Sequence, residues 1–316
     1  MTNARVTMSR WMTAGVAVLV AACGGGSSSS GVTAGIDRGG IVTATGAISG
    51  FGSVHVNGVR YVTTGATITL DDNPGTESDL RVGQVVRIEG RIEQDGINGT
   101  ATRVIFDDEV EGPVQSIDLA NSRLVVLGRT VQVSTQTSFD DRISPRSLEG
   151  LAVGDRIEVS GPVATSGVVE ATRVERKDAQ ASVEVKGAIA SLDTNARRFA
   201  LSQLTVSYAS AQLNGFASGQ PANGDYVEAF GTVDGNGVLV ATRVEKESGG
   251  SAGNADEQAD YEGLVTSFVS ATDFAVAGQR VTTTPSTVYE GGTASSLAVD
   301  VPVEVEGRFN SSGVIV

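Results

Sequence analysis

A chain of 316 residues with 40 glycines, 40% hydrophobic, 19% charged and 5% aromatic residues is too apolar to stay disordered and too rich in glycine to be helical. Its 23 Lys and Arg stand against 37 Asp and Glu, a net charge of -14, and a surface of that sign repels a phosphate backbone, so no nucleic acid partner is expected. One His, one Cys and one Trp leave little for metal or nucleophilic chemistry, and the expectation is an all-β protein that is not an enzyme and carries no cofactor.

Residues 1–22 read as a signal peptide, with Arg5 and Arg10, no acidic residue, and an apolar run from Ala14 to Ala22 that is shorter than the ~20 residues a bilayer span needs. Val20-Ala21-Ala22-Cys23 resembles a bacterial lipobox, which implies cleavage before Cys23 and lipid on its sulfur and new amino group. Such a set of acyl chains exceeds what stable anchoring requires. Cleavage would remove Trp11 and leave no free thiol, so packing alone must hold the fold. Residues 23–43 form the lipidated Cys and a flexible linker, with only Gly and Ser from Gly24 to Gly31. Gly24 stands where an inner-membrane retention Asp would be, which points to the outer membrane, lipid-anchored, with the periplasmic and surface-facing orientations both open.

The rest of the chain repeats. Ala-Thr-Arg-Val occurs at 101–104, 171–174 and 241–244. Upstream of each lies a Gly-bounded stretch, Gly83 to Gly90, Gly154 to Gly161 and Gly224 to Gly231, and a fourth runs from Asp300 to Gly307. Aligned, Val86, Ile157, Val227 and Val303 form one apolar column, and Ile88, Val159, Ala229 and Val305 another. Arg87, Glu158, Glu228 and Glu304 lie between them, the period of a half-buried strand whose charged column should face solvent. The units are predicted at 44–107, 108–177, 183–247 and 260–316, with a polar linker at 248–259 that should make unit four the most mobile. Each has about five strands and Gly-rich corners, suiting a small OB-like β-barrel, with a sandwich as the alternative. A short helical turn is expected around Ser147 to Leu151. Gly313-Val314-Ile315-Val316 aligns with residues that elsewhere run into Ala-Thr-Arg-Val, so the closing strand of unit four is expected to be truncated.

Gly46-Ala47-Ile48-Ser49-Gly50-Phe51-Gly52-Ser53-Val54-His55-Val56-Asn57-Gly58-Val59-Arg60-Tyr61 resembles the bacterial domain-of-unknown-function 5666 family, found in tandem in exported lipoproteins. The likeness is close over 44–106 and rests in units two to four on the Gly-strand-Gly and Ala-Thr-Arg-Val elements. It implies a β-rich, export-associated domain and brings no catalytic residue.

His55 alternates with Val54 and Val56 and reads as a solvated strand residue, since one imidazole cannot build a His-rich metal site. Arg103, Arg173 and Arg243 are expected to pair with Glu89, Glu158 and Glu228 across the strands. Asp71, Asp72, Glu77 and Asp79 offer enough oxygen for a calcium ion but lack EF-hand spacing, so a solvated acidic turn is the simpler reading and no metal is expected. The function these features favour is a membrane-tethered binding or scaffold module of the bacterial envelope, held through Cys23, with an envelope protein or glycan as partner. The alternatives are an envelope hydrolase, for which no carboxylate pair is marked, and an oligosaccharide-binding protein, which the loss of Trp weakens.

Overall fold

The structure is a computed structural model that describes residues 4–8, 39–180, 182–247 and 253–316. The alternating stretches fold as strands Val85–Ile92, Arg156–Ser160, Tyr226–Val233 and Pro302–Arg308. Val86, Ile88, Ile157, Val159, Val227, Ala229, Val303 and Val305 are all buried, as the period requires. Each strand pairs antiparallel with the opening strand of its unit: Gly40–Ala47, Val110–Asp118, Val183–Asp193 or Gln258–Ser270.

In units two and three the opening strand runs on into a hairpin, Arg123–Val126 with Arg129–Gln132 and Arg198–Leu201 with Leu204–Ser207. The second hairpin strand lies parallel to the start of the closing segment, at Val169–Glu170 and Leu239–Lys246, whose far part pairs back onto the central strand. The ring of five strands is thereby closed into an OB-like barrel, with the short strands Ser138–Phe139 and Gln212–Asn214 added at the sheet's edges. Leu148–Gly150 forms the anticipated helical turn, as a short 3-10 helix.

Two glycine columns have physical causes. Gly83, Gly154 and Gly224 adopt φ of +91°, +94° and +89°, which a Cβ disfavours, and unit four meets the same bend with Asp300 at +63°. At the strand's end, the register shifts by one residue beside Gly90 and Gly231. A Cβ there would lie 2.3 Å from the Thr100 carbonyl oxygen in unit one and 2.1 Å from that of Val240 in unit three. The bulge brings two backbones too close for any side chain.

Unit four closes differently. Val314 to Val316 begins its closing strand, with Val316 and Arg308 exchanging backbone hydrogen bonds of 2.8 and 3.1 Å. The continuation comes from the amino-terminal strand Arg5–Met8. Arg5 lies opposite Glu306 and Val6 opposite Val305, and the same strand runs parallel to Val288–Glu290. In unit one, Arg103 and Val104 hold these same positions, opposite Glu89 and Ile88 and beside Thr67 and Ile68. Ala4-Arg5-Val6 therefore stands in for Thr-Arg-Val, and Val6 is fully buried in the core of unit four. The closing strand of unit four is thus made of two segments. The remainder of the stretch read as a signal peptide, and Cys23 with most of the linker behind it, lie outside the described residues.

The four barrels assemble as two pairs. Units one and four share a sheet because their opening strands run side by side in parallel, Val42 against Gln258 through Thr45 against Tyr261. Units two and three share another through Val110 and Glu111, which meet Val185 and Glu184, and their apolar cores merge into one. Residues 248–252 of the expected linker are outside the described residues, and the opening strand of unit four already starts at Gln258, which is buried.

This packing overturns the expectation that the charged column is solvent-exposed. Glu158 and Glu228 are buried and Arg87 and Glu304 half-buried, because neighbouring units cover the outer face of these strands. A lone small barrel has one wet face, whereas four in contact have few. Among the described residues, no helix is long and apolar enough to cross a membrane.

Candidate functional site in the central cavity and the acidic seam

All four units line a central cavity of about 840 Å³. Its walls are small and mostly apolar, with Ala47 and Val85 from unit one, Val163 from unit two, Ala188 from unit three and Leu264 and Pro302 from unit four. One end is charged. Arg129, buried in the first hairpin of unit two, brings Nη2 to 3.7 Å from Glu109 Oε2, while its Nε and Nη2 have no hydrogen-bond acceptor. Glu109 precedes the opening strand of unit two and accepts a 2.9 Å hydrogen bond from the Tyr226 hydroxyl of unit three.

Burial pushes the Glu109 carboxyl above its ordinary range, against the pull of Arg129 and Lys186. Glu247, also on the wall, is pushed up to about 7 by burial. Lys186 suffers from burial as well, yet Glu228, Asp107, Glu109 and Asp108 outweigh that cost and hold its ammonium firmly protonated. It pairs with Glu228 at 3.1 Å. Such an end offers both hydrogen-bond donors and carboxylates, and the apolar remainder suits the body of a small amphipathic molecule. Among the described residues Tyr226 is the one aromatic in the lining, a single ring rather than a stacking platform for a sugar.

A second feature joins units one and two. Asp71 follows the strand Thr67–Leu70 of unit one, Asp108 sits between the closing strand of unit one and the opening strand of unit two, and Glu158 lies mid-strand in unit two. One carboxylate oxygen from each falls within 4.8 Å of the others. Asp71 Oδ1 accepts the Asp108 backbone N–H at 3.0 Å. Burial raises the Asp71 carboxyl to about 7, with Glu158 adding to the rise. A side pocket of about 320 Å³ opens onto Asp71 and Glu158.

The acidic loop of unit one is thus divided. Asp71 joins this seam, but Asp72 pairs with Arg243 at 3.1 Å, Glu77 accepts a hydrogen bond from Thr63, and Asp79 receives the backbone N–H and hydroxyl of Thr76 at 2.9 and 2.7 Å. Each of the last three has its own partner, so the four do not act as one set. His55 is half-buried on the face opposite Val54 and Val56.

The anticipated Arg–Glu pairs form in unit one, where Arg103 lies 3.9 Å from Glu89. In unit two, Arg173 binds Glu175 at 2.9 Å, and in unit three Arg243 binds Asp72 and stacks 3.8 Å over Phe230. The reason is register. Arg173 faces Ser160 and Arg243 faces Phe230, while Glu158 and Glu228 lie two residues earlier, opposite Glu175 and Glu245. Lysines neutralise those acidic pairs instead, Lys177 on Glu158 and Lys186 on Glu228. Sequence reading missed Asp108, Arg129 and Glu109. The available signal was the acidic run Asp107-Asp108-Glu109 directly between two repeats, where a connector is short and both neighbours are folded.

No curated protein matches the chain. Among solved structures, a chain titled "drosophila Unr CSD456" is 13% identical over 62% of this chain and 84% of that chain, with a TM-score of 0.19, a superposition too loose to bear on the fold. The profile of a family described as a domain of unknown function matches at 39–105, 111–175, 186–245 and 262–316, which coincide with the four barrels. The chain belongs to this family, DUF5666, of which it carries four tandem copies.

Proposed function

We propose that this protein is a non-catalytic binding module of the bacterial cell envelope, exported and held at the outer membrane by lipid on Cys23 after a cleavage that takes the strand Arg5–Met8 out of unit four, and that the central cavity is where it binds. The observation that carries the reading is the cavity itself, a volume of about 840 Å³ to which every unit contributes and which no single barrel contains. Tandem repetition otherwise multiplies one surface, but here four copies together line one partly open cavity. The ligand class that suits it is a small amphipathic molecule with an apolar body and a polar head able to meet Arg129, Glu109 and Tyr226.

Nile red, a neutral apolar fluorophore, serves as the probe. Saturable fluorescence enhancement by the full chain is expected, lost in Ala188→Trp, whose indole fills the cavity from an exposed strand position. Enhancement that does not saturate, or that Ala188→Trp leaves unchanged while circular dichroism stays native, removes the cavity from the proposal. The anchor is tested separately by labelled fatty acid, whose incorporation into the protein in cells should vanish in Cys23→Ser.

A further inference from the structure

We propose that Asp71, Asp108 and Glu158 bind a divalent hard cation, calcium in preference to magnesium, that staples unit one to unit two. The three carboxylates come from unit one, from the connector and from unit two, and present oxygens within 4.8 Å of one another. Asp108 is fully buried, and neither of its carboxylate oxygens has a hydrogen-bond donor. A carboxylate withdrawn from water without any donor is costly, and a bound cation answers both of its oxygens at once.

The nearby ammonium groups are already engaged. Lys177 bonds Glu158 Oε2, and Lys186 bonds Glu228. Neither is hydrogen-bonded to Asp108. Carboxylate oxygens alone, without His or Cys, are the donor set of calcium or magnesium rather than of zinc or copper. Calcium tolerates an irregular, partly hydrated set, whereas magnesium demands near-octahedral geometry. The side pocket supplies an entrance at Asp71 and Glu158, with Asp79 and Glu175 on its rim beside Arg81 and Lys177, and space for water ligands. This set differs from the loop acids taken together, because the chain folds Asp72, Glu77 and Asp79 onto other partners.

The test is calorimetric titration of the full chain, stripped with chelator, with calcium chloride and then with magnesium chloride, alongside thermal melts. Calcium should bind at one site per chain with a Kd of the order of 0.1–1 mM, as in extracellular modules, and raise the melting temperature. Asp108→Asn and Glu158→Gln should each weaken binding by at least about tenfold. Without metal, Asp108→Asn should melt no lower than the parent, since an amide removes a buried charge, and calcium should reverse that order. Asp71→Asn serves as a second variant if Asp108→Asn does not fold. No saturable calcium binding in the parent overturns the proposal, as does binding that all three substitutions leave intact, which would place the ion elsewhere. Tighter magnesium than calcium binding overturns the stated preference. Nile red binding in the cavity reports on the other proposal independently, because none of the three ligands lines that space.

Discussion

Units one and four reach the same barrel by different routes. Unit one closes with the continuous strand Asn98–Phe106, and unit four with Val314 to Val316 followed in space by Arg5–Met8. In both, an Arg sits opposite a Glu and a fully buried Val follows it, Arg103 with Val104 and Arg5 with Val6. The barrel therefore requires a strand of the right pattern in the right register and is indifferent to whether one piece of chain supplies it. What continuity changes is the cost of leaving, since a short separate strand can depart without unravelling the turn before it.

The largest separation between the two units should come from a charge at the shared position. Val104→Asp is expected to unfold unit one, a loss above about 4 kcal/mol. In the uncleaved chain, Val6→Asp should instead release the amino-terminal strand, exposing Pro302–Arg308 to hydrogen exchange while unit one keeps its protection. Equal damage from both substitutions would mean that unit four depends on its borrowed strand as fully as unit one on its own.

A smaller difference is expected at the bulge. A Cβ on Gly90 would stand 2.3 Å from the Thr100 oxygen, against 2.8 Å from the Val316 oxygen for Gly307. Gly90→Ala should cost about 1–3 kcal/mol in chemical denaturation. Gly307→Ala should cost less, because the carbonyl oxygen its Cβ meets stands farther off.

Acidity sharpens the comparison further. Glu304 is pushed up to about 7, by burial first and then by Glu306 and Glu262, with Arg5 opposing. A carboxyl raised in the folded state contributes stability that is complete below its unfolded value of 4.5 and is lost as pH rises through 7. Unit four should thus weaken between pH 5 and 8, and Glu304→Gln should flatten that profile in melts followed by hydrogen exchange. Unit one has Arg87 in this column, so a loss there over the same window should trace to Asp71, also raised to about 7, and disappear in Asp71→Asn. The smallest effects belong to the paired arginines. Arg103→Ala, on a half-exposed pair at 3.9 Å, should cost within about 0.5 kcal/mol, and Arg5→Ala up to about 1 kcal/mol, since Arg5 reaches both Glu290 and Glu306.

The repeat made the barrels legible, because period-2 columns and glycine positions report on local backbone geometry. Val86 with Ile88 and Ile157 with Val159 were readable as core from alternation alone, and Gly83 and Gly90 as points where the chain bends or crowds. The opposite face was not. Glu158 and Glu228 look like solvated strand carboxylates in one unit, and only the packing of another unit buries them. Asp71 stood out in sequence among its loop neighbours, but its partners Asp108 and Glu158 are 37 and 87 positions away and belong to other elements. Local pattern carries no information on which repeats will touch. The amino-terminal strand was hidden for a different reason. Arg5 and Arg10 ahead of an apolar run signal export, and Ala4-Arg5-Val6 lacks the preceding strand that marks the motif elsewhere.

The end-to-end arrangement of Val316 and Ala4 along Pro302–Arg308 makes the fold circular in effect. A permuted chain in which residue 316 is joined through Asn3 to Ala4 would read Val316-Asn3-Ala4-Arg5-Val6, in step with Val240-Ala241-Thr242-Arg243-Val244, and give unit four one unbroken closing strand. The new ends could then be opened at the polar stretch around Gly249 to Ser251, which separates two units in sequence. The order of the four barrels along the polypeptide would become a matter of where the circle is cut.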